Sequence, residues 1–187
     1  MSAAQVLEFW FSPESEPCWF EWSEAFDQRC REMLEAQQAA AAAGRLDDWQ
    51  QTAESALALV VLLDQVPRNL YRGSARAFAS DAKALSVARA ALARGFDRDL
   101  PEKQRLFLYL PFEHSEDSAD QAESCRLFAT LSDPEYLKYA EAHRDVIARF
   151  GRFPHRNAAL GRASTPAEEA YLAEGEHDFA ASQAPRP

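Results

Sequence analysis

Apolar residues recur at intervals of three and four along almost the whole of this chain, and no stretch shows the strict alternation of a half-buried strand. The pattern is clearest over residues 134–150, where the apolar positions form one stripe on a helical face. Alanine is abundant and only 6 of the 187 residues are glycine, which also favours helix. The sequence therefore predicts an all-α fold in one domain over residues 1–178, followed by a disordered tail over residues 179–187.

Glycines, prolines and capping residues set the predicted helix boundaries. The predicted helices cover residues 3–11, 19–43, 47–64, 81–94, 118–131 and 134–150, with one more starting at residue 101 and a short one after a capping box at residues 165–168. Pro67 is predicted to end the third helix, because the residue before a proline is pushed out of the helical region. Pro111 is predicted to kink or end the fifth helix.

The later helices are predicted to form hairpins. The pair that starts at residues 118 and 134 follows the pair that starts at residues 81 and 101 by about 33 to 37 residues, close to the tetratricopeptide period. The signature residues of that repeat are absent. We therefore expect stacked antiparallel helical hairpins in a TPR-like α/α bundle.

Charge and composition exclude several classes of partner. Acidic residues outnumber basic ones by 30 to 20, so nucleic acid and anionic membranes are not expected partners. The longest apolar run, residues 56–63, is too short for a membrane span, and the N-terminus lacks the basic start of a secretory signal. Three cysteines without a CxxC pair indicate a reduced, cytoplasmic protein.

Four blocks of sequence, in order, resemble a bacterial family defined by a domain of unknown function, number 924 in that series. The blocks are EFWF at 8–11, LLDQVPRNLYRGSARAF at 62–78, LFLYLPFEHSED at 106–117 and RFGRFPHRNAALGRASTPAEEAYL at 149–172. The resemblance extends over nearly the whole chain and implies a TPR-like α/α fold. It implies no activity, cofactor or site residue.

Two stretches of this acidic chain, residues 66–79 and 147–167, contain several arginines and no acid. Each holds a similar element after a long helix, Pro67-Arg-Asn in the first and Pro154-His-Arg-Asn in the second. A guanidinium can hold a carboxylate or a phosphate through two parallel hydrogen bonds. We expect the two elements to touch and to form a cleft. Its predicted binding residues are Arg68, Asn69, Arg72, Arg152, His155, Arg156 and Asn157.

The same arginines have an alternative use inside the protein. Asp64 ends an apolar run near a helix C-terminus, where the helix dipole disfavours an acid, and Arg68 lies four residues further on. Glu113 shares a helical face with Leu106 and Leu110, so it is expected to point inward and to need a cation. Pairing with buried acids and binding of an external anion both remain open.

Four residues are candidates for acid–base catalysis, namely Glu113, His114, His143 and His155. His143 lies on the apolar stripe, where it is either a hydrogen-bonded core residue or part of a pocket wall. The sole Glu-x-x-His, at residues 174–177, is interrupted by Gly175, so neither a metal nor a cofactor is expected.

An aromatic cluster near the N-terminus has two interpretations. Its members are Phe9, Trp10, Phe11, Trp19, Phe20, Trp22 and Phe26. They either pack in the core between the first two helices or form a patch for a partner.

Two functions follow from these residues. The first is a non-catalytic binding module whose cleft holds an anionic small molecule, bearing a carboxylate or phosphate, or an acidic peptide. The alternative is a small-molecule hydrolase or lyase that uses Glu113 and one histidine as its acid–base pair. An acid–base pair within reach of one shared point favours the enzyme, whereas an arginine-lined groove without such a pair favours binding.

Overall fold

The protein, seen in a computed structural model that describes residues 1–174, is all-helical over that range, as predicted. Its α-helices are α1 (Ala3–Trp10), α2 (Glu24–Ala42), α3 (Ala53–Val60), α4 (Val66–Leu70), α5 (Asp81–Ala93), α6 (Glu102–Glu113), α7 (Ser118–Phe128), α8 (Pro134–Phe150) and α9 (Pro166–Glu174). The predicted tail at 179–187 and His177 of the Glu-x-x-His lie outside the described residues.

Side-chain caps fix several helix starts. α2 begins at Glu24 rather than at residue 19, because the Ser23 hydroxyl accepts a hydrogen bond from the Phe26 amide at 3.2 Å. The predicted capping box at α9 is present, since Thr165 and Glu168 each accept a hydrogen bond from the other's backbone amide.

The chain does not leave the helix before Pro67, so the predicted end of the third helix is wrong. A π-helical turn, Val61–Gln65, connects α3 to α4, and Pro67 lies in the first turn of α4. Pro67 has no amide to donate, and the carbonyl of Leu63 accepts instead from the Ser80 hydroxyl at 2.6 Å. The helix therefore continues without an unpaired carbonyl, and α6 likewise runs on past Pro111.

Helix α6 is central to the bundle, because it contacts α3, α5, α7 and α8. The π-helical turn and α3 supply a fully buried apolar segment to the main core. A second, smaller apolar cluster joins the end of α8 to the segment that follows it; it consists of Val146, Ile147, Phe153 and Tyr171. Consecutive helices from α5 to α8 contact one another, and their TPR-like arrangement stays a prediction.

Most of the N-terminal aromatic cluster packs in the core. Trp10 and Phe26 are almost fully buried, and Trp10 meets Phe107 of α6 edge-to-face at 5.8 Å between ring centroids. Trp19 and Phe20 also contact Phe107, but 54% of Phe20 is exposed. No helix among residues 1–174 is both long and apolar enough to cross a membrane.

Candidate functional site

A cavity of about 240 Å³ brings together most of the residues predicted from the sequence. Of the predicted binding residues, those that line it are Arg68, Asn69, Arg72, His155 and Arg156. All four candidates for acid–base chemistry line it as well, namely Glu113, His114, His143 and His155. The wall thus combines α4, α6 and α8 with the turn at Pro154–Arg156.

Two predicted binding residues do not line this cavity. Arg152 forms two hydrogen bonds with the carboxylate of Glu168, at 2.6 and 2.8 Å. Asn157 is 1% exposed and donates to the Ser164 hydroxyl at 3.1 Å. Both side chains hold the segment after α8 against the start of α9.

The two Pro-Arg-Asn elements meet at Asp81, which confirms that they converge. Arg68 donates two parallel hydrogen bonds to the Asp81 carboxylate, each 3.0 Å long. Arg156 places Nη1 3.7 Å from Oδ2 of the same carboxylate, and both guanidinium groups lie over the ring of Phe78. Asp81 was not predicted as a site residue, because it is simply the first residue of an ordinary helix.

Most arginines of the two acid-free stretches pair with acids from other parts of the chain. Arg72 binds Asp27 through two hydrogen bonds of 2.5 and 2.8 Å, and Asn69 donates to the same carboxylate at 2.8 Å. Arg162 binds Glu116 through two more, at 2.7 and 3.0 Å. Internal pairing therefore accounts for these cations.

Arg156 differs from the other arginines in this region. Only 6% of the residue is exposed, yet its guanidinium donates no hydrogen bond to any residue within 1–174, and its Nε is buried. The rings of Phe78 and Phe153 lie 4.8 and 4.5 Å from its central carbon. Burial and the charge of Arg68 lower the pKa of Arg156 to about 10, so the group is still a cation at neutral pH. The cavity wall thus carries a largely buried cation that donates no hydrogen bond to the part of the chain that the structure describes.

Asp64 and His114 form a hydrogen-bonded pair at the same wall. Asp64 is fully buried, and both of its carboxylate oxygens lie within 3.0 Å of Nδ1 of His114. Burial alone would raise the pKa of Asp64, but the charge of Arg68 and bonds from His114 and Gln65 hold it below its usual value. The ionised carboxylate requires a proton on Nδ1. Burial lowers the pKa of His114, so at neutral pH its ring is uncharged and Nε2 carries no proton.

Glu113 points inward as predicted, and its expected need for a cation stays a prediction. Burial and the charge of Asp64 raise the pKa of Glu113 to about 8, so this carboxyl group is protonated at neutral pH. Its Oε1 lies 3.6 Å from Nδ1 of His143, which donates to the carbonyl of Tyr139 at 2.8 Å. A neutral acid therefore lies beside an oriented imidazole.

The His, Cys, Asp and Glu side chains are the possible metal ligands in this protein. Within residues 1–174, no group of three or more His, Cys, Asp or Glu side chains is placed to hold a metal ion. The cysteines Cys18, Cys30 and Cys125 form no disulfide.

A family model for bacterial proteins of unknown function, DUF924, matches residues 6–176 of this chain. The chain belongs to the DUF924 family. A solved structure of a protein of unknown function from Agrobacterium tumefaciens, ATU0120, is 46% identical to this DUF924 chain. The match covers 92% of this chain and 97% of that one, with a TM-score of 0.87. A search of curated proteins gives no match.

Apart from Trp19 and Phe20 of the N-terminal aromatic cluster, the sequence did not single out the apolar wall of this cavity. That wall includes Trp19, Phe20, Leu106, Leu110, Phe128, Tyr136 and Tyr139. Helical spacing identifies such residues as members of a core but does not distinguish a core from the lining of a cavity. The tertiary structure makes this distinction, because the loop after α1 folds over α6 and places these residues around a cavity.

Proposed function

We propose that this protein binds a small anionic molecule in the cavity and that Arg156 forms the ion pair with it. The observation that carries the proposal is the buried guanidinium without hydrogen bonds among residues 1–174. A buried polar group that lacks partners costs folding free energy, and a bound anion would supply the missing acceptors. Binding needs no cofactor.

A small molecule fits this site better than an acidic peptide. Two of the lining residues, Glu21 and Glu135, are exposed and therefore lie at the solvent edge of the cavity. Their negative charges would repel an acidic peptide, which carries several carboxylates. A ligand with one anionic group would meet less electrostatic repulsion from them. The three free cysteines support a cytoplasmic location for this function.

A thermal-shift screen of carboxylates, phosphates and short acidic peptides tests the proposal. A ligand present at 100 times its Kd stabilises the folded state by about 2.7 kcal/mol, which raises the melting temperature. Arg156→Met should abolish that shift, and the exposed Arg126→Gln is the matched control. Arg156→Met should melt within a few degrees of the wild type, because Arg156 donates no hydrogen bond to residues 1–174 and Asp81 keeps its two hydrogen bonds from Arg68. A lower melting temperature together with an unchanged ligand shift would show that Arg156 is purely structural.

A second candidate function is acid–base catalysis on the bound anion, as a hydrolase or lyase. The arrangement of Asp64 and His114 favours it, because a buried carboxylate that orients an imidazole through Nδ1 leaves Nε2 available as a general base. Protonated Glu113 in the same cavity would serve as the general acid. Glu113 and His114 both line the cavity, which is the arrangement that supports this second candidate.

The catalytic candidate is tested on a molecule already known to bind. The ligand found in the thermal screen is incubated with wild-type protein and its NMR spectrum is followed over time. Conversion by the wild type, and none by His114→Asn that still binds the ligand, would support catalysis. A ligand that stays unchanged with both proteins supports a pure binding function.

A further inference from the structure

We infer that the ligand is a monocarboxylate with an apolar body, held by its carboxylate at Arg156 and by its body at the aromatic wall. This inference rests on the proposed function and deepens it. Three observations carry it: the two ends of the cavity differ in polarity, an aromatic surface is left exposed at one end, and the buried charges at the other end already balance.

The cavity is polar at one end and apolar at the other. On α6, Leu106 and Glu113 both line the cavity. They are seven residues apart, a spacing that corresponds to about 10 Å along the helix. On α8, Tyr136 precedes His143 by the same interval. Because His143 and Glu113 lie 3.6 Å apart, the two helices carry their polar residues at the same end.

The loop after α1 closes the apolar end. Trp19 and Phe20 both pack on Phe107, which is next to Leu106 on α6, with ring centroids 4.7 and 6.1 Å apart. Phe20 lines the cavity although 54% of it is exposed, and half of Tyr139 is exposed as well. An apolar ligand body would cover these rings and remove their surface from water.

The charges at the polar end favour a ligand with one negative charge over a ligand with two. Arg68 and Arg156 are balanced there by two ionised carboxylates, Asp64 and Asp81. A carboxylate would add a single charge beside Arg156, whereas a phosphate monoester would add nearly two to a buried neutral cluster. A carboxylate also matches the flat donor edge of one guanidinium.

Binding of four probes, measured by calorimetry and by tryptophan fluorescence, tests this ligand class. The probes are octanoate, acetate, octyl phosphate and octanamide. Each buried methylene strengthens binding about fourfold, so octanoate should bind more than about 100-fold tighter than acetate. Octanoate should also bind tighter than octyl phosphate and octanamide. Phe20→Ser should weaken octanoate binding several-fold and leave acetate unchanged.

The outcomes separate this inference from the proposed function. If acetate binds as tightly as octanoate, or if octyl phosphate binds more tightly, the ligand class is wrong while the anion site at Arg156 stands. If octanamide matches octanoate, or Arg156→Met binds octanoate as the wild type does, the anion site itself is wrong. If no probe binds, both are overturned. Retained binding by Arg126→Gln controls for a general effect of charge.

Discussion

Nδ1 of His114 lies 2.9 and 3.0 Å from the two carboxylate oxygens of Asp64, a residue with no exposed surface. The two residues are 50 positions apart in the chain and meet because Asp64 lies in the π-helical turn against the end of α6. Arg68 also contacts Asp64, at 3.6 Å, so one buried acid links the first acid-free arginine stretch to His114 of the cavity. The predictions below test this network and the cavity that it supports.

Asp64→Asn is expected to destabilise the protein. The substitution removes the negative charge of a fully buried carboxylate that contacts both Arg68 and His114. The free energy of unfolding should therefore decrease by about 3 kcal/mol. Urea denaturation followed by circular dichroism measures it. Asp145→Asn, which removes the acid of an exposed pair with Arg144, is the control and should leave stability unchanged. Equal midpoints for the two variants would contradict a structural role of Asp64.

Glu113 is expected to make stability decrease as the pH rises from 7 to 8. The folded protein keeps the proton on Glu113 because its pKa is raised to about 8, whereas the unfolded chain has lost that proton well below pH 7. The contribution is therefore complete at low pH and is lost as the pH rises towards 8. The free energy of unfolding should fall by up to about 1.4 kcal/mol per pH unit.

Glu113→Gln should remove this slope, and the exposed Glu8→Gln should retain it. The lowered pKa values of His114 and His155 give a slope of the opposite sign near pH 7, because the unfolded imidazoles still bind some protons there. Both variants keep these histidines, so the difference between their slopes isolates the contribution of Glu113. Urea titrations at pH 7.0, 7.5 and 8.0 give the slopes. A wild type as flat as Glu113→Gln would show that Glu113 ionises normally.

Binding of octanoate is expected to take up protons. Burial and the charge of Arg156 lower the pKa of His155, and burial lowers that of His114, so an anion beside them would raise both values again. Affinity should therefore increase as the pH falls from 7 to 5.5. Calorimetry in two buffers of different ionisation enthalpy measures the proton uptake, and a heat that is independent of the buffer at pH 6 would contradict it.

Arg152→Gln is expected to lower stability without affecting ligand binding. Arg152 binds Glu168 through two hydrogen bonds and does not line the cavity, so its loss unpairs an acid at the start of α9. Thermal unfolding should begin at a lower temperature, while the ligand-induced shift keeps its wild-type size. Loss of the ligand shift in this variant would extend the binding site beyond the cavity described here.

Ser80→Ala tests how the helix passes Pro67. The Ser80 hydroxyl donates to the carbonyl of Leu63, which Pro67 cannot serve, and its removal leaves that buried carbonyl unpaired at a cost of about 1–3 kcal/mol. Ser124→Ala is a matched control, because its hydroxyl is buried without a hydrogen-bond partner among residues 1–174. That variant should be as stable as the wild type, and equal losses in both would indicate a packing effect.

Local patterns in the sequence were sufficient for the helices and for several inward-facing residues. Helical spacing placed His143 and Glu113 on buried faces, and both are buried. It could not show that Glu113 lies beside His143 with a raised pKa, because that depends on the groups brought beside it by other helices. The helix end expected at Pro67 failed for the same reason, since Ser80 supplies the missing donor from 17 positions away.

The sequence by itself determined an all-α chain, its caps and the excess of arginine in two acid-free stretches. These features depend on neighbours three or four residues apart, and such contacts can be read from spacing. Tertiary structure decided which of these arginines donate hydrogen bonds to a carboxylate of the described residues and which do not. Arg72, Arg152 and Arg162 each find a carboxylate distant in the chain. Asp81 accepts two hydrogen bonds from Arg68 and none from Arg156, which is buried on the cavity wall. Ion pairing is decided by distance in space, which the packing of helices sets and local spacing does not record.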